Sequence, residues 1–233
     1  MRLTQHTQET IMLVKSNPKT AEQPKKRAAD QAYDLLEQMI IKLELRPGTP
    51  VVEAELVART GLGRTPLREA LMRMSSLGLI RQLPRRGLII SDIEAAEHMS
   101  LIETRRVLER LIAHNAARRA DLEQREEIID IAEQMLIAAK CGDLDEFMQA
   151  DTLFDQLLHR ACRNPSAVNA VLPLVVRCRR FWYAFQHEGD IEEVARCHMV
   201  VARAVAKGNE DLAMKASDHL MDFLDNFVRR VIA

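Results

Sequence analysis

Between Gly63 and Gly87 stand six arginines, Arg64, Arg68, Arg73, Arg81, Arg85 and Arg86, against a single acid, Glu69. Guanidinium groups bind phosphate oxygens and the acceptor edges of bases through forked pairs of hydrogen bonds, so this density suits a polyanion. The chain as a whole has a formal net charge of −1. It is no polycation, and nucleic acid would have to be met by one local patch. A second group combines carboxylates with imidazoles. Asp151 and Asp155 are four residues apart, on one face if the segment is helical, and His198 and His219 lie far downstream. Gly208-Asn209 separates the histidines, and each is ten residues from the nearer member of that pair. An antiparallel hairpin would bring them level, about 15 Å from its turn. Two carboxylates and two imidazoles form a donor set for a divalent cation. On residue types alone each group also has a plainer reading: a solvated arginine face, and histidines bonded within a core.

The elements that must carry these residues follow from periodicity. Ala32, Leu35, Leu36, Met39, Ile40 and Leu43 form a helical stripe that stops at Arg46-Pro47-Gly48, a strong turn signal. A short helix from about Glu53 to Arg59 ends before Gly61. The stretch "GRTPLREALMRMSSLG" then places Leu67, Ala70, Leu71, Met74 and Leu77 on a buried face, with Arg64, Thr65 and Arg68 opposite. Arginines in a first turn oppose the helix dipole by about 0.3–1 kcal/mol unless an anion is present. Leu79 to Gln82 and Leu88 to Ser91 read as two strands around the basic tip Arg85-Arg86-Gly87. Helix, turn, helix and hairpin in that order form a helix-turn-helix with a wing. From residue 94 onwards six long helical patterns follow, at roughly 94–119, 121–140, 143–162, 166–187, 189–206 and 209–231. The predicted fold class is therefore mostly α: an N-terminal winged helix-turn-helix and a C-terminal all-helical antiparallel bundle. The expected domains are a flexible N-terminal arm over 1–27, a DNA-binding domain over 28–92 and a ligand-binding and dimerisation domain over 93–233. Arg177, Arg179, Arg180, Trp182 and Tyr183 crowd one bundle helix whose inward face the pattern leaves undefined.

Composition excludes several classes. There is no run of about 18 uncharged apolar residues, so no membrane span is expected, and no signal-peptide pattern opens the chain. Cys141, Cys162, Cys178 and Cys197 are scattered without a Cys-x-x-Cys pair and read as reduced structural thiols of a cytoplasmic protein. Gly61-Leu62-Gly63 lacks the third glycine of a dinucleotide loop and follows a helix.

Residues 28 to 92, with "LELRPGTP" and "RTPLREAL", resemble the winged-helix domain of GntR-type bacterial transcription regulators. The resemblance implies that Arg64, Thr65 and Arg68 contact double-stranded operator DNA from the recognition helix, with Arg86 and Gly87 at the wing tip. Gly63 departs from the serine that commonly precedes "RTP", which removes an N-cap and a phosphate contact. Residues 94 to 231 resemble the FCD effector domain of the FadR branch, through "ETRRVLERLIAHNAA", "DTLFDQLLHRACRNP" and "HMVVARAVAKGN". Many such domains hold a metal with one aspartate and three histidines. Asp151, His198 and His219 fall on three of those places and Asp155 on the fourth, which implies zinc, nickel or manganese. Arg105 matches an arginine that holds an effector carboxylate, so a small organic acid is the implied effector. A homodimer on a near-palindromic operator is implied as well. Two alternatives stay open: a metal-dependent enzyme with an appended DNA-binding module, and a regulator whose metal is purely structural. No distinct nucleophile or general-base motif supports the enzyme.

Overall fold

The computed structural model describes residues 27–85, 87–188 and 190–233. Apart from Arg27, the expected N-terminal arm lies outside the described residues, as does Arg86.

Helix α1 (Ala28–Ile41) buries Ala32, Leu36, Met39, Ile40 and Ile41, one stripe of a 3.6-residue period. The turn after it uses Gly48 at φ 73, where a side chain would press within 3.2 Å of Asp92 Oδ1. Helix α2 (Glu53–Thr60) ends on Gly61 in the left-handed conformation. Helix α3 (Arg64–Ser76) buries Leu67, Ala70, Leu71 and Met74, the expected stripe. Strands β1 (Ile80–Leu83) and β2 (Gly87–Ile90) pair antiparallel with Ile80 opposite Ile90 and Leu83 opposite Gly87, which makes the wing. Pro50 adds an isolated bridge to Ile89.

The bundle consists of α4 (Ala95–Arg119), α5 (Leu122–Cys141), α6 (Leu144–Cys162), α7 (Pro165–Phe185), α8 (Ile191–Ala206) and α9 (Glu210–Ile232). Each of α5 to α9 starts on a side chain that accepts a backbone N–H of its first turn: Asp121, Asp143, Asn164, Asp190 and Asn209. Such caps contribute roughly 1 kcal/mol apiece and fix where each helix begins. The four helices before them have no side-chain cap. Helix α4 runs centrally against α6, α7, α8 and α9. Helix α7 contains Pro173, which removes one internal hydrogen bond. It also packs on α1 of the winged domain. No helix among the described residues is long and apolar enough to cross a membrane. All four cysteines are free thiols.

Candidate nucleic-acid interface and effector site

Arg64, Thr65 and Arg68 project from the exposed face of α3 beside Leu67, which is buried. The helix begins at Gly63 with no side-chain cap, so its first N–H groups remain available to an anion. Arg68 donates to both oxygens of Glu53 on α2, at 2.8 and 3.0 Å. That pair is exposed, and a phosphate could replace the glutamate at little cost. Arg73 belongs to another face. It bonds Asp30 of α1 at 3.0 Å and lies 4.0 Å over the Tyr33 ring, which ties α3 to α1. In the wing, Arg81 is paired with Asp92, and Arg85 and Gly87 flank the tip with φ of 63 and 76.

Inside the bundle a buried ion-pair cluster joins four helices. Arg179 of α7 donates from Nε to Asp151 at 2.5 Å and from its terminal nitrogen to Asp155 at 2.6 Å. His198 of α8 places Nε2 3.2 Å from the other Asp151 oxygen. Its Nδ1 meets the Val194 carbonyl at 2.8 Å, which orients the ring. Arg105 of α4 bonds Glu109 at 2.9 Å and stands 3.8 Å from Asp155, so part of its guanidinium is unsatisfied by these acids. Burial alone would push the Asp151 carboxyl up, but the Arg179 charge and the His198 hydrogen bond hold it well below the usual carboxylate range. For His198 burial works against the proton, and Asp151 outweighs it, so the imidazole is more basic than usual. A cavity of about 40 Å³ opens beside these groups, bordered by Arg105, Asp151, Arg179, His198, Phe147 and Trp182.

Of the four residues expected to hold a metal, three come together and one does not. Asp151, Asp155 and His198 do converge, but the place between the carboxylates is held by Arg179, which supplies the positive charge a cation would bring. His219 does not join them. In α9 the inward stripe is Ala213, Ala216, Ser217, Leu220 and Met221, and His219 falls with Leu212 and Lys215 on the exposed one. Counting from the hairpin sets a residue's height along a helix but not its rotation about it. His219 instead stands with Glu193 and Cys197 of α8, their three donor atoms within 4.8 Å of one another. No other group of three such donors occurs among the described residues.

Sequence reasoning did not assign Arg179 to the site. Its signal was three cations, Arg177, Arg179 and Arg180, inside the otherwise apolar run from Val171 to Trp182. It also overlooked Glu37 of α1, a half-buried acid that accepts from Tyr33 at 2.6 Å. Burial raises the Glu37 carboxyl, while the bond from Tyr33 and the charge of Arg179 pull the other way.

Residues 28–90 match the family described as bacterial regulatory proteins, gntR family, and residues 100–223 match the FCD domain. The HTH-type transcriptional repressor RspR of Escherichia coli K12 is 27% identical over 209 residues, covering 89% of this chain and 92% of that protein. A probable D-xylose utilization operon transcriptional repressor of Paenarthrobacter nicotinovorans is 28% identical over 195 residues, covering 82% and 84%. Among solved structures, E. coli McbR/YncC superimposes with a TM-score of 0.78 at 16% identity, over 89% of this chain and all of that one. At that identity the likeness establishes the fold alone.

Proposed function

The chain belongs to the GntR family of bacterial regulatory proteins, with an FCD domain behind its winged helix, and on that premise we propose that it is a cytoplasmic repressor whose operator affinity is set by a small organic acid. It is a DNA-binding transcriptional regulator and not an enzyme, as its relatives are. Arg64, Thr65 and Arg68 are the operator-reading residues in this reading, with Gly87 and Arg86 at the wing.

The observation that carries the effector reading is the pair of buried guanidiniums, Arg105 and Arg179, beside one cavity. Arg105 has donor capacity that Glu109 does not use, and an effector carboxylate suits it. About 40 Å³ has room for roughly one water, so an acid of several heavy atoms has to push α7 or α8 outward. Helix α7 also carries Arg180, whose guanidinium holds the Ser91 carbonyl between the domains. A ligand that favours the outward position thereby shifts the arrangement of the winged domains by its differential affinity. No step of this reading passes through a metal ion, because Arg179 already neutralises the carboxylates. Val107 and Leu111, 68% and 42% exposed and one turn apart on α4, suit contact with a second copy, which supports a dimer.

The test begins with selection of duplexes from a random pool by the purified chain. Enrichment of two-fold symmetric sequences is expected. Fluorescence anisotropy on a selected duplex, with a panel of C2 to C6 mono- and dicarboxylates, then finds an acid that changes affinity. Arg105→Gln should keep DNA affinity and lose the response to that acid. Turnover of an acid, or enrichment without symmetry, would overturn the reading.

A further inference from the structure

Where the winged domain, the linker and the bundle meet lies a cavity of about 370 Å³. Gly78 and Arg81 reach it from the winged domain, Ser91 to Glu94 from the linker, and His98, Arg177 and Arg180 from α4 and α7. Its volume is within the range of small-molecule sites. Three of its lining residues, Ser91, His98 and Arg180, each hold a buried polar atom without a hydrogen-bond partner: Oγ, Nε2 and Nε. Their residues are 7%, 5% and 3% exposed. Each such atom costs roughly 1–3 kcal/mol. With three on the walls of one cavity, a small rotation of each side chain towards it would let a bound molecule complete the bonding.

The charges indicate what kind of molecule. Arg81 is paired with Asp92 at 2.5 Å and Arg177 with Glu97 at 2.6 Å. Arg180 has no carboxylate within ion-pair distance among the described residues, and its bond is to the Ser91 carbonyl at 2.6 Å. Burial pulls its guanidinium down to about 10, Arg177 adds to the effect, and Asp92 opposes it. A buried cation short of counter-charge is relieved by an anion. The uncapped start of α4 lies at the same place and adds the positive end of its dipole. His98, by contrast, is held neutral near neutral pH, its basicity reduced to about 4 by burial and then by Arg177. The Arg177 backbone opposes these effects only in part, and Nε2 has no hydrogen-bond partner. Asp92, Glu94 and Glu97 around the cavity disfavour a ligand of high negative charge.

We infer that this seam binds a small hydroxylated molecule bearing one carboxylate or phosphate: Arg180 and Ser91 donate to the oxyanion, and His98 Nε2 bonds a hydroxyl. A ligand here touches the winged domain, the linker and the bundle at once and so stabilises this mutual orientation. The binding stands on the geometry alone; its consequence for operator affinity rests on the regulator reading above.

Calorimetric titration of the full chain with inorganic phosphate, glycerol 3-phosphate and glycerate tests it. Saturable binding of at least one is expected, with the hydroxylated probe of the preferred anion class binding more tightly than the bare anion, and the phosphate and glycerate arms separate the two classes. Arg180→Lys should weaken binding by about tenfold or more, the loss of a charge-assisted bond. Ser91→Ala, which removes one hydroxyl and keeps the packing, should weaken it less. Arg105→Gln should leave the phosphate and glycerol 3-phosphate titrations unchanged, which separates this site from the bundle cavity. Three outcomes overturn the inference: no saturable heat with any probe, equal binding by the wild type and Arg180→Lys, or loss of phosphate and glycerol 3-phosphate binding in Arg105→Gln.

Discussion

Arg179 and Arg180 are consecutive on α7, yet Arg179 closes on Asp151 and Asp155 inside the bundle while Arg180 donates to the Ser91 carbonyl at the domain seam. Neighbours on a helix point about 100° apart, so a single element borders the bundle cavity and holds the linker. Any displacement of α7 reaches both.

The two arginines at either end of α3 should behave differently. Arg68→Ala is expected to weaken operator binding by about 1–3 kcal/mol, the value of a base-edge contact. Arg73→Ala removes the Asp30 pair and the Tyr33 stack. It should lower the unfolding midpoint and leave the affinity of the folded protein unchanged. Anisotropy and thermal unfolding on both variants decide it, and equal losses of affinity would mean that the wrong face of α3 has been assigned.

The Asp151 cluster should be independent of metal. Dialysis against a chelator is expected to leave the urea midpoint unchanged. Arg179→Leu strands two buried carboxylates and should cost roughly 3–5 kcal/mol. Adding Asp151→Asn and Asp155→Asn to that variant should recover a large part of the loss. A chelator-induced fall that the Asp151→Asn variant lacks would put a metal where Arg179 has been placed.

His98 gives the stability a definite pH dependence. Its folded pKa is about 4 against a model-compound value of 6.5, so the folded state binds fewer protons between those limits. Stability conferred by the neutral ring is present above pH 6.5 and is lost as the pH falls towards 4, by about 3 kcal/mol in all. His98→Phe keeps the stack on Phe181, whose centroid lies 4.0 Å away, and should flatten the urea-measured profile over that window. An unchanged profile would assign the pH dependence to other groups.

Gly63→Ser should stabilise the winged domain. A side chain there meets Pro66 Cδ at 3.7 Å, an ordinary contact, and the backbone already has extended N-cap geometry. A gain of roughly 0.3 kcal/mol is expected from the new cap. Operator affinity should rise too, because the hydroxyl can donate to a phosphate. A fall in affinity would show that the bare N–H groups of α3 serve the DNA better than a serine does.

Much of the fold was legible because its signals are local. The bundle helices begin at Asp121, Asp143, Asn164 and Asn209 and break at Gly142 and Gly208, residues that speak for their own positions. The wing strands came within one residue of their observed bounds, and the α3 stripe matched in full apart from the half-buried Leu77. The bundle site was only partly legible, because it depends on rotation and on partners distant in the chain. His219 lies on the exposed face of α9, whereas His198 is buried in α8. Arg179 finds Asp151 from 28 residues away, and no periodicity announces such a pairing.

Pro173 gives the long α7 helix a weak rung before the segment that carries Arg177, Arg179 and Arg180. A rod with one missing tie bends there first. In the regulator proposed above, a ligand wedged against Arg179 would need only to tilt the segment beyond Pro173, and the tilt would reach Ser91 through Arg180 as a pull on the linker.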